Sequence, residues 1–88
     1  MNCFVVGIGT GESGSTAFWN KLPQSEITKI RRITETANPA EMMALRQRFG
    51  KKYIEFLILQ TSTVAAAKQN GLEPTVLGEI ECGRLEGL

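Results

Sequence analysis

The chain has 88 residues, of which 42% are apolar and 22% charged, and a formal net charge of +1. That balance describes one small globular domain over 1–88 and excludes a disordered chain. Histidine and aspartate are both absent, which rules out a Ser-His-Asp or Cys-His catalytic arrangement and any zinc site that uses histidine.

The first element in chain order is an apolar run from Asn2 to Gly9, rich in Phe, Val and Ile and closing on glycines, which predicts a strand. It breaks into Gly9-Thr10-Gly11-Glu12-Ser13-Gly14-Ser15-Thr16, a glycine-rich loop dense in hydroxyls. Such loops expose backbone N–H groups that can cradle an anion. The loop matches the Gly-x-Gly-x-x-Gly spacing of dinucleotide-binding turns. It also resembles the P-loop of nucleotide hydrolases, but Ser15 stands where that loop carries its phosphate-binding lysine. With no aspartate for the metal-binding role, nucleotide hydrolysis is not expected. What remains is passive anion binding by backbone amides with Thr10, Ser13, Ser15 and Thr16.

Ser15 or Thr16 can cap a short turn through Ala17-Phe18-Trp19, a pair of aromatics placed either to anchor the loop on the core or to stack a base. Pro23 and Glu26 mark the start of a helix near 24–37, in which Ile27, Ile30, Ile33 and Ala37 form one apolar stripe. Asn38-Pro39-Ala40-Glu41 is a restart signal: a cap, a first-turn proline and a glutamate three residues beyond the cap. A second helix near 39–49 follows, with Met42, Leu45 and Phe49 on its apolar face and Met43 read as further packing. Gly50 ends it, and Arg46, Arg48, Lys51 and Lys52 gather at its negative dipole end.

Tyr53–Leu59 is short, nearly all apolar and rich in aromatic and β-branched residues, which favours a strand buried on both faces, with a buried helix as the alternative that periodicity leaves open. The hydroxyls of Thr61-Ser62-Thr63 precede a short helix from Val64 to Gln69, closed by Asn70-Gly71. Thr75–Cys82 reads as a last strand and Gly83–Leu88 as a frayed tail. The resulting expectation is an α/β fold: a small two-layer sandwich, order β-α-α-β-α-β, on a three-stranded sheet. Three strands leave edges to be covered or paired, which predicts a homo-oligomer.

Charge is unevenly spread. Residues 29–52 carry Lys29, Arg31, Arg32, Arg46, Arg48, Lys51 and Lys52 against Glu35 and Glu41, a balance of +5, whereas residues 53–88 balance to −3. A basic middle and an acidic final third favour an anionic partner or self-complementary association. Cys3 and Cys82 both lie in apolar, strand-like runs and are expected to be reduced core thiols, bridged only if those runs are neighbours. No apolar stretch approaches the ~20 residues of a membrane span, and Cys3–Ile8 is too short, without a basic flank, for a signal peptide. The chain is therefore expected to be cytoplasmic.

Ala67-x-x-x-Gly71-Leu72, followed by Leu77, Ile80-Glu81 and Gly83-Arg84, resembles the helix-turn-helix core of Cro/C1-type phage repressors. The resemblance covers about 20 residues and implies a second helix entering the major groove of DNA. No lysine or arginine lies between Lys68 and Arg84 to meet phosphate, so nucleic acid is the less favoured partner. The leading expectation is a non-enzymatic binding or inhibitor-type protein with no cofactor or metal. Its partner is another protein or a phosphorylated small ligand, met by Gly9, Thr10, Gly11, Ser13, Gly14, Ser15 and Thr16 with Arg46, Arg48, Lys51 and Lys52. The alternative is a DNA-binding regulator using residues 62–84.

Overall fold

The computed structural model describes residues 2–9 and 15–82. Its elements are β1 (Asn2–Gly9), α1 (Ser15–Lys21), α2 (Gln24–Glu35), α3 (Pro39–Phe49), β2 (Tyr53–Leu59), α4 (Thr61–Gln69) and β3 (Thr75–Glu81). The expected α/β fold on a three-stranded sheet is found, with one helix more than the sequence suggests: the turn around Ala17–Trp19 extends into α1. Strand order is β2-β1-β3, with β1 antiparallel to both neighbours.

A strand in the middle of a sheet needs apolar side chains on both faces, and β1 supplies them alternately. Val6 and Ile8 join Leu57 and Leu59 of β2, Phe18 and Leu22 of the α1 region, Ile30 of α2, and Val64 and Ala67 of α4. Cys3 on the opposite face joins Phe56 and Ile58, Met42 of α3 and Ile33 of α2. The period of two along β1 and β2 thus sorts the core into two clusters. Ile30 and Ile33 of α2 are both buried and enter different clusters, so this helix runs along the β2 side of the sheet. There the Thr34 hydroxyl oxygen accepts a hydrogen bond from the Ile58 backbone N–H, 3.0 Å. A helix side chain thereby occupies part of an edge that would otherwise be open to another strand.

Local signals explain most boundaries. Asn38 Oδ1 accepts from the N–H groups of Ala40 (2.8 Å) and Glu41 (3.3 Å), the cap its sequence announces. Helix α4 begins three residues before its expected start, because Thr63 is not spent on a cap. It is buried in the helix, and its hydroxyl donates to Glu26 Oε2 at 2.9 Å, tying α4 to α2. Glu26 in turn pairs with Lys29 at 3.6 Å. Met42 is buried as expected, but Met43 is 57% exposed and packs on nothing in the core. The two sit one residue, about 100° of helix turn, apart.

Gly71 and Gly7 each have a geometric reason to carry no side chain. Gly71 has φ +83°. Its N–H donates to the Lys68 carbonyl and that of Leu72 to the Ala67 carbonyl, the paired bonds of a Schellman helix end. Gly71→Ala is expected to cost about 1–2 kcal/mol, the strain of a left-handed alanine, read as a lower urea midpoint with an unchanged slope. A Cβ on Gly7 would lie 2.7 Å from Tyr53 Cγ and 3.0 Å from Leu77 Cδ1, so the absence of a side chain lets these two cover the sheet.

The reading of Cys3 and Cys82 as reduced thiols is corrected: they form a disulfide, with Cα atoms 5.1 Å apart. The cause is the β1–β3 register. Cys3 opposes Ile80, and Cys82, two residues on, falls on the same face beside it.

Candidate functional site

The residues expected to bind an anion come from three places, only some of which meet. Thr10, Gly11, Ser13 and Gly14 lie outside the described residues. Gly9 ends β1, and Ser15 and Thr16 open α1, where Thr16 is exposed. Arg46 and Arg48 belong to the last turn of α3, and Lys51 and Lys52 to the turn that leads into β2; all four are exposed.

The β1–β2 register decides what the end of β1 faces. Gly9 pairs with Tyr53 after an irregularity in which Ile54 is passed over. A Cβ on Gly9 would sit 3.8 Å from the Lys52 carbonyl oxygen. Gly9, the last residue of β1, therefore lies beside the Lys52 backbone, although 43 positions separate the two in the sequence. This corner rests on stacked rings. Phe49 and Tyr53, and Tyr53 and Phe56, have centroids 6.3 Å apart in edge-on pairs, and the Arg48 guanidinium lies 5.1 Å from the Phe49 ring centre.

On the other side of β1 the same strand end borders a cleft of about 380 Å³, whose walls include Gly7, Gly9, Phe18, Leu72, Glu73 and Pro74. Glu73 is the charged group there, so the end of β1 has a basic flank towards β2 and an acidic one towards β3.

Arg46 does not line that cleft. It borders a second groove of about 330 Å³, together with Trp19, Arg31, Glu35, Ile54 and Phe56. Phe18 and Trp19, expected to act as a pair, divide their roles. Phe18 is buried in the core, whereas half-buried Trp19 forms the groove wall and donates from Nε1 to Glu55 Oε2 at 3.3 Å. Arg31 stacks over the Trp19 ring, 4.8 Å from its centre. Sequence reasoning missed this groove because its walls come from α1, α2, α3 and β2. The legible signals were a tryptophan outside the apolar stripes and arginines off the Ile27–Ile33 stripe.

The helix-turn-helix resemblance loses its second helix. Residues 75–81 run as β3, paired with β1, and the spacing of Ala67, Gly71 and Leu72 is accounted for by the end of α4. No helix among the described residues is long and apolar enough to cross a membrane. Comparison with protein-family models, with curated proteins and with solved structures finds no match.

Proposed function

We propose that this chain is a non-enzymatic binding protein that acts through its surface and takes an anionic group, carried by a phosphorylated small ligand or by a protein, at the end of β1. The observation that supports the reading is the Gly9–Tyr53 register, with Gly9, the last residue of β1, beside the Lys52 backbone carbonyl. Backbone amides supply directional donors to an anion but little net charge, and two adjacent ammonium groups supply the missing attraction. Arg48 reinforces the field at this corner, while Arg46 serves the separate groove. Glu73, on the far side of the strand end, disfavours an anion that extends across β1 and so favours a compact phosphate over a long polyanion.

The test is calorimetric titration with inorganic phosphate, nucleoside monophosphates and sugar phosphates at low salt. Binding that weakens about tenfold in Lys51→Glu/Lys52→Glu is expected, since a charge-assisted contact contributes roughly 1.5–3 kcal/mol. Heat changes identical in wild type and variant, or absent for every phosphate at millimolar concentration, would exclude the site. The Cys3–Cys82 bond bears on location as well. Disulfides persist in oxidising compartments, which favours such a compartment over the cytoplasm that composition alone suggests.

A further inference from the structure

The groove walled by Trp19, Arg31 and Arg46 runs along the outer edge of β2, and we propose that it takes an extended acidic peptide segment of a partner protein, added beside β2 as a fourth strand. Three observations converge on that occupant. The first is an unfilled strand edge. Ile58 directs its N–H away from β1 and into the Thr34 hydroxyl; Phe56, two residues earlier on the same regular ladder, directs its N–H and C=O to the same side. No side chain among the described residues takes the place at Phe56 that Thr34 takes at Ile58, and Phe56 lines the groove. A strand edge flanked by a helix is the surface on which extended peptides add.

The second is apolar exposure at the same place. Ile54, passed over in the β1–β2 pairing, is 56% exposed and lies in the groove. A large β-branched side chain left in water beside an open edge suits the alternate side chains of an added strand. It does not suit the phosphates of a nucleic acid.

The third is charge. Arg31 on the α2 wall and Arg46 on the α3 wall border the groove together with Glu35 and Glu55, and neither arginine forms an ion pair with Glu35. Glu55 is engaged by the Trp19 indole. Stacking on Trp19 uses the face of the Arg31 guanidinium and leaves its N–H rim for an acceptor. The two guanidinium groups that border the groove select carboxylates on the incoming segment. Thr34 sets the limit: it blocks the edge at Ile58, so the added strand covers the Tyr53–Phe56 half only.

The experiment is selection of a phage-displayed library of random nonapeptides on the intact, oxidised chain, followed by polarisation titrations of the enriched sequences as labelled synthetic peptides. Enrichment of segments that alternate glutamate or aspartate with apolar residues is expected. Arg46→Glu is expected to weaken their binding about tenfold, and Arg31→Glu similarly. Arg46 is exposed, so its variant reports even if loss of the Trp19 stack disturbs folding in Arg31→Glu. Bound peptide is further expected to slow hydrogen exchange of the Phe56 amide at least tenfold, a result that mere surface adhesion does not produce. No enrichment, enrichment without acidic residues, or an unchanged Phe56 amide overturns the proposal. So does Arg31- and Arg46-dependent binding of oligouridylate in place of any peptide. Neither titration involves Lys51 or Lys52, so failure here leaves the anion site standing, and the reverse.

Discussion

Breaking the Cys3–Cys82 bond is expected to lower the stability of this protein by about 2–4 kcal/mol, the usual range for a native disulfide. The bond joins residues 79 positions apart, so in the reduced, unfolded chain it frees almost the entire length. The chain-entropy account for a loop of that size approaches about 4.5 kcal/mol, an upper figure because the unfolded state keeps some structure of its own. A domain of this size has roughly 4–13 kcal/mol of total stability, so the loss is a large share of it. At about 4–8 °C per kcal/mol, Tm is expected to fall by about 8–32 °C with a phosphine reductant, and by a similar amount in Cys3→Ala/Cys82→Ala. Thiol titration of the unreduced, denatured protein is expected to find no free sulfhydryl. Two titratable thiols, or coincident melting curves with and without reductant, would return both residues to the status of reduced core cysteines.

The second large effect is expected at Ile58. Its side chain is fully buried, and it packs with Cys3, Ile33, Met42 and Phe56 at the point where β2, α2 and α3 meet. Ile58→Ala removes three carbon atoms from a site bounded by sheet and helices that cannot close around the gap, at a cost of about 2–5 kcal/mol. The control is Val76→Ala on β3, where 47% of the residue is already exposed and less than about 0.5 kcal/mol is expected. Urea denaturation of both variants measures the difference. Equal midpoints would mean that the cluster around Cys3 and Met42 contributes little to stability, and that the other cluster, around Ile30 and Leu59, holds the domain alone.

Both effects depend on the same antiparallel arrangement, and it was this arrangement, more than the elements themselves, that had to come from the folded chain. Local signals are strong here because they act within a few residues. Asn38 caps α3 through atoms two and three residues away, and Gly71 closes α4 through its own backbone conformation. The Ile30–Ile33 spacing puts two apolar groups on one side of a helix whatever lies opposite. Thr61 and Ser62 misled for a local reason as well. Their hydroxyls announce a cap, but the backbone at Gln60 already leaves the strand, and Thr63 finds a better partner in Glu26.

The candidate sites are legible to a different degree. The glycine-rich loop and the basic run at 46–52 stand out in the sequence, and the residue types suited to an anion can be named from it. That Gly9 lies beside Lys52 cannot. Gly9 meets Lys52 because β2 lies antiparallel to β1 with one residue passed over at Ile54, and no periodicity encodes a register between segments so far apart. Arg46, on the last turn of α3, borders the Trp19 groove instead.

By itself, then, the sequence determined an α/β fold with strands read at 2–9, 53–59 and 75–82, an amphipathic α2, a capped α3, and the lack of histidine and aspartate that removes most catalytic apparatus. Those are consequences of composition and of forces that reach no further than a helical turn or a strand repeat. Tertiary structure alone decided that β1 lies between β2 and β3, that Cys3 and Cys82 are joined, that Phe18 is core while Trp19 walls a groove, and that residues 75–81 are strand where a resemblance implied helix. Each of those outcomes follows from pairing between distant segments, where the free energy lies in burying both faces of β1 at once and no single segment carries the signal.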